Sequence, residues 1–351
     1  MHTEVPSAFL ANGRAILQPA LEPRASSRAV TGTPTGISFD DCTGEVPPAH
    51  LLALLRERIS LRQQAVRRAF EAGKAPLAGH VTAAHSRMMD ELLSHLLDLA
   101  KARVSSHQEE RRAPFAVLAL GEYGSQALAP HAIPEIAVVL SPGRGAAAVP
   151  TIDHLQGMLW DLRVRVRVHA HTAAQWVARI ADSERLRIAM LDGRMLWGEE
   201  DLAHDLLTGL MSAKPSVRAR LAAVIWTARM RRHQRYGNGA GAAAPEVVQG
   251  RGGLRDLDSL RWLAQIQRGP GHGHLPARGH ETIARAWWFL TTVRCHLHYI
   301  TGEPHDRLDT RLQPEIALRM GYSGTPDDGT RQLMTDYRRV TAEVAGADAL
   351  H

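Results

Sequence analysis

The sequence predicts an α+β protein, a small α/β core with helices on both sides, and three observations predict it. Two short apolar runs, "FAVLALG" from Phe115 and "EIAVVL" from Glu135, have the length of buried strands. The segment "RVRVRVHAH" from Arg163 alternates strictly, as a half-buried strand does. Before and after these, apolar residues recur at the three- and four-residue spacing of amphipathic helices.

Taken in order, residues 1–47 mix Pro, Ser, Thr, Gly and Ala without sustained periodicity and read as a disordered leader. From Pro48 to about Gly73 and from Val81 to Val104, positions such as Met89, Leu92, Leu93, Leu96 and Leu97 predict two helices paired as a hairpin, within a segment spanning 48–112. The α/β core spans 113–200. Its third strand places Arg163, Arg165, Arg167, His169 and His171 on one face and Val164, Val166, Val168 and Ala170 on the other. Everything after about Thr172 reads as helices, interrupted by "YGNGAGAAAP" and "QGRGGLRD", and 201–351 forms a helical domain.

Composition excludes several classes. A chain of 351 residues with 44% apolar residues can bury real cores. Its net charge of +6, with 19 His that add charge below about pH 6.5, admits an acidic or phosphate-bearing partner. No block of five or more Lys and Arg favours nucleic acid. Cys42 and Cys295 are too few and too far apart for a zinc knuckle or a disulfide framework, which suits a reducing cytoplasm. The N-terminus lacks the basic start and apolar core of a secretion signal, and no run of about 18 apolar residues suggests a membrane span.

Two long segments, "QGRGGLRDLDSLRWLAQI" (Gln249–Ile266) and "VRCHLHYITGEPHDRLDTRLQPEIALRMGY" (Val293–Tyr322), closely resemble the helical domain of the bacterial bifunctional uridylyltransferase/uridylyl-removing enzymes, which modify the PII nitrogen-signalling protein. "LWDL" (Leu159–Leu162), "DGRMLWG" (Asp192–Gly198) and "GEYGSQALAPHAIPEIAVVL" (Gly121–Leu140) match further motifs of that family, and the resemblance runs over roughly residues 48–345. It implies a nucleotidyltransferase-type core joined to a helical domain. Family members continue into an HD hydrolase domain and paired ACT domains, neither of which is expected in this chain. His305-Asp306 lies inside the helical-domain match and lacks companion ligands at HD spacing, so no metal role is expected of it.

Nucleotidyl transfer needs a backbone cradle for a triphosphate and hard oxygen ligands for Mg²⁺. The family pattern G-G-Y-G-R-G-E-L-x-P-x-S-D-I-D-L supplies both, its two aspartates sharing one strand face. Here Ile133 and Glu135 occupy the aspartate positions, with Pro134 between them. Gly121 and Gly124 keep two turn glycines and, with Ser125, are nucleotide-binding candidates, but Glu122 replaces a glycine, Ser125 the arginine, and Gln126-Ala127 the following Gly-Glu. Tyr123 is expected to pack structurally. A second family segment, N-V-K-E-G-K-G-G-L-R-D, reads "EVVQGRGGLRD": Glu246, Val248 and Gln249 depart, while Arg251, Gly252 and Gly253 conform and remain nucleotide-binding candidates. Arg255 with Asp256 is expected to form an ion pair.

These departures predict a catalytically degenerate, regulatory or scaffolding relative, in which Glu135 is a strand-initiating, exposed remnant. The partner implied by the resemblance is a PII-like protein or a full-length homologue. One alternative is an active transferase of UMP or AMP that uses Glu135, and Asp161, with Mg²⁺. Another is a metal-independent module for UTP, ATP, RNA or another anion on the face of Arg163, Arg165, Arg167, His169 and His171, binding more tightly as the pH falls toward 6.

Overall fold

A computed structural model describes residues 48–73, 77–104, 114–210, 214–237, 242–268 and 277–347. The leader expected at 1–47 and Cys42 lie outside the described residues. These residues group into two compact units. The first takes in 48–72, 80–104 and 114–210, and the second is built mainly from 214–237, 242–268 and 277–347.

In the first unit the predicted hairpin is α1 (Pro48–Glu71) and α2 (Leu77–Val104). The sheet has the order β3-β2-β1-β4. β1 (Phe115–Leu120) runs antiparallel to β2 (Glu135–Leu140), which runs parallel to β3 (Arg167–Thr172). The edge strand β4 (Arg194–Gly198) pairs antiparallel with β1 and was not expected from the sequence: it is five residues long, half-buried, and set in a stretch otherwise rich in helical spacing.

Because side chains alternate across a strand, β1 and β2 feed two cores. Phe115, Val117, Ala119, Ile136 and Val138 pack against Leu55, Leu92, Leu93 and Leu96 of the hairpin and against Ile152, Leu155 and Leu159 of α4 (Gly145–Asp161). Ala116, Leu118, Leu120, Ala137 and Val139 face Trp176 and Ile180 of α5 (Ala173–Asp182), Leu186 and Met190 of α6 (Glu184–Met190), and Ala203 and Leu206 of α7 (Glu200–Leu210). Both faces of the two central strands are covered, which explains why their sequences are unbroken apolar runs.

The predicted third strand is too long. Leu162 ends α4, Val164 N–H donates to Leu159 O at 3.0 Å, Arg163 N–H donates to Trp160 O at 2.9 Å, and Arg163 has φ 57°. This is a Schellman termination with Arg163 in the left-handed position usually given to glycine. The alternation that suggested a strand is therefore shared between a helix stop and a shorter strand that begins at Arg167. Arg163 and Arg165 do not belong to its cationic face; Arg167, His169 and His171 do.

The second unit contains α8 (Pro215–Tyr236), α9 (Leu254–Arg268), α10 (Ala277–Thr301), α11 (Gln313–Arg319) and α12 (Pro326–Gly346) around Leu257, Leu290, Leu297, Leu308, Leu333 and Tyr337. Burial of such leucines stabilises by about 1.5–3 kcal/mol each. No helix among the described residues is long and apolar enough to cross a membrane.

Candidate functional site

At one end of the sheet, pairing register brings several predicted site residues together. Glu135 opens β2 because Pro134 has no amide to donate, although its carbonyl accepts from Arg167 N–H at 2.9 Å. Glu135 lies opposite Leu120 on one side and Arg167 on the other, and Gly121 follows Leu120 directly. The turn glycines, Glu135, Arg167 and His169 thus share one mouth.

Glu135 is buried, not exposed as expected. A buried carboxylate needs compensation, and two cations or donors supply it: Arg185 Nη1 lies 2.8 Å from both carboxylate oxygens, and His169 Nε2 donates to Oε1 at 2.9 Å. Arg185 was not anticipated. It is set by the α5–α6 junction, where Ser183 caps α6 by accepting from Leu186 N–H at 3.3 Å. Nothing in the spacing of "SERLRIAM" marks a residue that reaches back to β2; the signal is tertiary. His171, on the same face, packs edge-on against Trp176 with ring centroids 5.2 Å apart. Burial, then Arg179 and His169, hold its imidazole below the ordinary histidine range, which disfavours the charged form that the anion-binding expectation calls on.

The glycine segment itself forms a single helical turn, α3 (Gly121–Gly124). Gly121 has φ 54°. Gly124 is fixed by packing, since a Cβ there would stand 2.0 Å from the Asp192 carbonyl and 2.7 Å from that of Ala119. The amides of Ser125, Gln126 and Ala127 donate to Gly121 O, Tyr123 O and Glu122 O at 2.9, 3.2 and 2.7 Å, so they close the turn on itself. Gln126 adopts φ 60° where the family pattern carries glycine. Tyr123 is fully buried, as expected, beneath Arg194, which donates to Gly124 O at 3.2 Å and to Asp90 Oδ1 at 2.9 Å. The "DGRMLWG" segment therefore clamps the turn from behind.

A two-magnesium centre needs several hard oxygen ligands converging on one point. Ile133 offers none, Glu135 already accepts from a guanidinium and an imidazole, and Asp161 sits at the end of α4, where its carbonyl accepts from Arg56 Nε at 3.2 Å. No group of three or more His, Cys, Asp or Glu side chains suited to a metal ion occurs among the described residues. This donor set does not fit the paired ions.

The second candidate segment lies in the helical unit. Its glycines are committed to packing: a Cβ on Gly252, which has φ 77°, would stand 2.0 Å from Thr341 O, and one on Gly253 would stand 2.6 Å from Val247 O. Their amides are engaged as well, Gly252 N–H with Asp256 Oδ2 at 2.7 Å and Gly253 N–H with Gly250 O at 2.9 Å. The Glu246 carboxylate caps the same loop by accepting from the amides of Gln249 and Gly250. Arg251 is exposed beside them.

The expected Arg255–Asp256 pair does not form. Asp256 is fully buried and binds Arg229 (3.1 Å), Arg232 and His233 (2.8 Å), whereas Arg255 turns to Asp258 at 3.3 Å and lies over the Trp262 ring. Adjacent residues on a helix point about 100° apart, so neighbours in sequence serve different surroundings. Burial alone would raise the Asp256 carboxyl, but Arg229 and Arg232 hold it below the ordinary carboxylate range. His305 and Asp306 also part: Asp306 accepts from Arg294 Nε at 2.7 Å and His298 Nε2 at 3.0 Å, and His305 pairs with Asp309 at 2.9 Å.

Residues 220–349 match the family model described as GlnD PII-uridylyltransferase. The chain is similar to proteins described as "Bifunctional uridylyltransferase/uridylyl-removing enzyme" from Gluconobacter oxydans, at 32% identity over 82% of this chain and 32% of the relative, and from Cereibacter sphaeroides, at 32% identity over 87% and 34%. The counterpart from Phenylobacterium zucineum is 34% identical over 69% of this chain and 27% of its own length. The chain spans about a third of the length of the curated relatives it matches. With a family-model match across the helical unit and relatives aligned across four fifths of its length, the chain belongs to the GlnD PII-uridylyltransferase family.

Proposed function

We propose that this chain serves nitrogen-status signalling in the cytoplasm by binding a PII-like protein or a full-length uridylyltransferase homologue, and that it transfers little or no nucleotide. The observation that carries this reading is the fate of the two carboxylate positions. One holds Ile133, and the other, Glu135, is buried against Arg185 and His169. A guanidinium neutralises the charge that a divalent ion would otherwise neutralise, and it supplies no open coordination position for a phosphate oxygen. Loss of ion-based charge stabilisation, several kcal/mol in such reactions, lowers rate by several powers of ten.

The test is incubation of the chain and a PII protein with radiolabelled UTP or ATP and Mg²⁺ or Mn²⁺. The expected outcome is no label above a protein-free blank. Label that disappears in Glu135→Ala establishes a working transferase instead. Co-precipitation with PII checks the partner, and its failure across a range of salt concentrations counts against that assignment. A second reading, nucleotide held without metal, rests on Arg167 and Arg185 at the mouth, the latter with more than half of its side chain exposed. Calorimetric titration with UTP in EDTA decides it, and no heat at about 1 mM nucleotide ends it.

A further inference from the structure

Helix α8 carries an apolar seam on its solvent side. At about 100° per residue, Ala219, Ala223, Trp226 and Met230 fall within about 60° of arc, while Leu221, Ile225 and Arg229 occupy the buried side. Trp226 is 46% exposed and Met230 44%. Large apolar side chains one turn apart on a surface helix have the spacing of a seam that receives a second helix. Isolated exposed hydrophobics need no explanation, but a Trp–Met pair continued by two alanines forms a contiguous stripe, and such stripes mark interaction sites. The two alanines let another backbone come close, and Trp supplies the kind of anchor that dominates interface energetics.

Charge selects the occupant. The 22 residues of α8 include six arginines and no acidic residue. Arg220 and Arg231, both exposed, lie along one edge of the stripe, and the Arg229 guanidinium stands 5.7 Å from the Trp226 ring centroid. Against a second copy of α8 this arrangement would set arginine against arginine. It is complementary to a helix whose apolar face is edged with glutamate or aspartate.

We propose that the solvent face of α8 is a docking surface for an acidic amphipathic helix of a partner protein, anchored by Trp226 and Met230 and oriented by Arg220 and Arg231. The inference stands whether or not nucleotide is transferred at the sheet unit.

The test uses the full chain and a fluorescein-labelled, hydrocarbon-stapled monomeric peptide with leucines at i, i+3, i+4 and i+7 and glutamates along both edges. Fluorescence anisotropy should give saturable binding. Trp226→Ser with Met230→Ser should weaken it by about tenfold or more, a size expected for loss of an anchor. Arg220→Glu with Arg231→Glu should weaken it and remove its salt dependence. Both pairs are exposed, and an unchanged circular dichroism spectrum certifies the fold. Equal binding of a peptide with serine in place of leucine reduces the effect to polyanion attraction and overturns the proposal. So does no binding of the glutamate peptide at about 1 mM, or affinity unaltered by the Trp226 and Met230 changes. Preferential binding of phosphatidylglycerol vesicles or an oligouridylate, abolished by the same double change, assigns the surface to lipid or RNA and also overturns it.

Discussion

The two glycine-rich segments, 121–135 in the sheet unit and 246–256 in the helical unit, respond differently to sequence change. In the first, Glu135, which differs from the family pattern, is buried at the mouth of the sheet against Arg185 and His169, and Gly124 is kept where two carbonyls leave no room for a methyl group. In the second, the retained run from Gly250 to Asp256 is held by its own backbone contacts and by Asp256, which gathers three basic side chains from α8. The lesson is that identity in "GRGGLRD" reports packing first. Family likeness concentrated there says more about how the helical unit folds than about what it binds.

The largest effect should come from Asp256→Asn, because it leaves two guanidiniums facing each other in a buried site. Breaking such a group typically costs about 3–5 kcal/mol. Urea unfolding followed by circular dichroism should show the loss, and a change below about 1 kcal/mol would make the cluster no more than a surface network. The sign of the pH effect is fixed by the lowered carboxyl of Asp256. A folded-state value below the unfolded value of about 3.9 means the contribution is complete above that pH and disappears as the pH falls through the folded value. The Asn variant should therefore lose the corresponding part of its acid sensitivity.

Next in size is Gly252→Ala. It combines a positive φ with a methyl group 2.0 Å from Thr341 O, and about 3 kcal/mol or more is expected. Gly121→Ala sharpens the comparison, since Gly121 also has positive φ but open space around it; only the left-handed penalty of about 1–2 kcal/mol applies. Equal losses for the two would show that conformation, not the carbonyl wall, governs both segments.

Glu135→Gln should have a smaller effect on stability, about 1 kcal/mol, because Arg185 is largely solvated and its attraction is screened, while the amide still accepts a hydrogen bond. Arg185→Ala in the wild-type background should cost more than in the Gln variant. A thermal-denaturation double-mutant cycle with no coupling would remove the ion pair from the account of this mouth.

Much of this architecture was legible in the chain. The hairpin, β1 and β2 follow from unbroken apolar runs and helical spacing, because burial on both faces imposes a pattern no neighbour can disguise. The burial of Glu135 was not legible: it depends on Arg185, fifty residues away, delivered by a helix junction rather than by any motif. Asp256 was misassigned for a related reason, since sequence adjacency to Arg255 suggested a pair that helix geometry directs apart. β4 escaped because five half-buried residues carry too little alternation to compete with the helices around them.

The strand that proved too long leads to the smallest prediction. Periodicity of two over Arg163–His171 cannot distinguish a continuous strand from a Schellman turn followed by a short one, because Val164 packs inward in either case. The backbone decides, and Arg163 at φ 57° has the conformation in which glycine is preferred to any side chain. Arg163→Gly should therefore stabilise the sheet unit by about 0.5–1 kcal/mol, the relief of left-handed strain less the added freedom of the unfolded chain. In a continuous strand the same change would destabilise by a comparable amount, through lost side-chain contacts and backbone entropy. The sign of the shift in melting temperature thus separates the two readings of one nine-residue stretch, and a fall on introducing glycine would return Arg163 to the sheet.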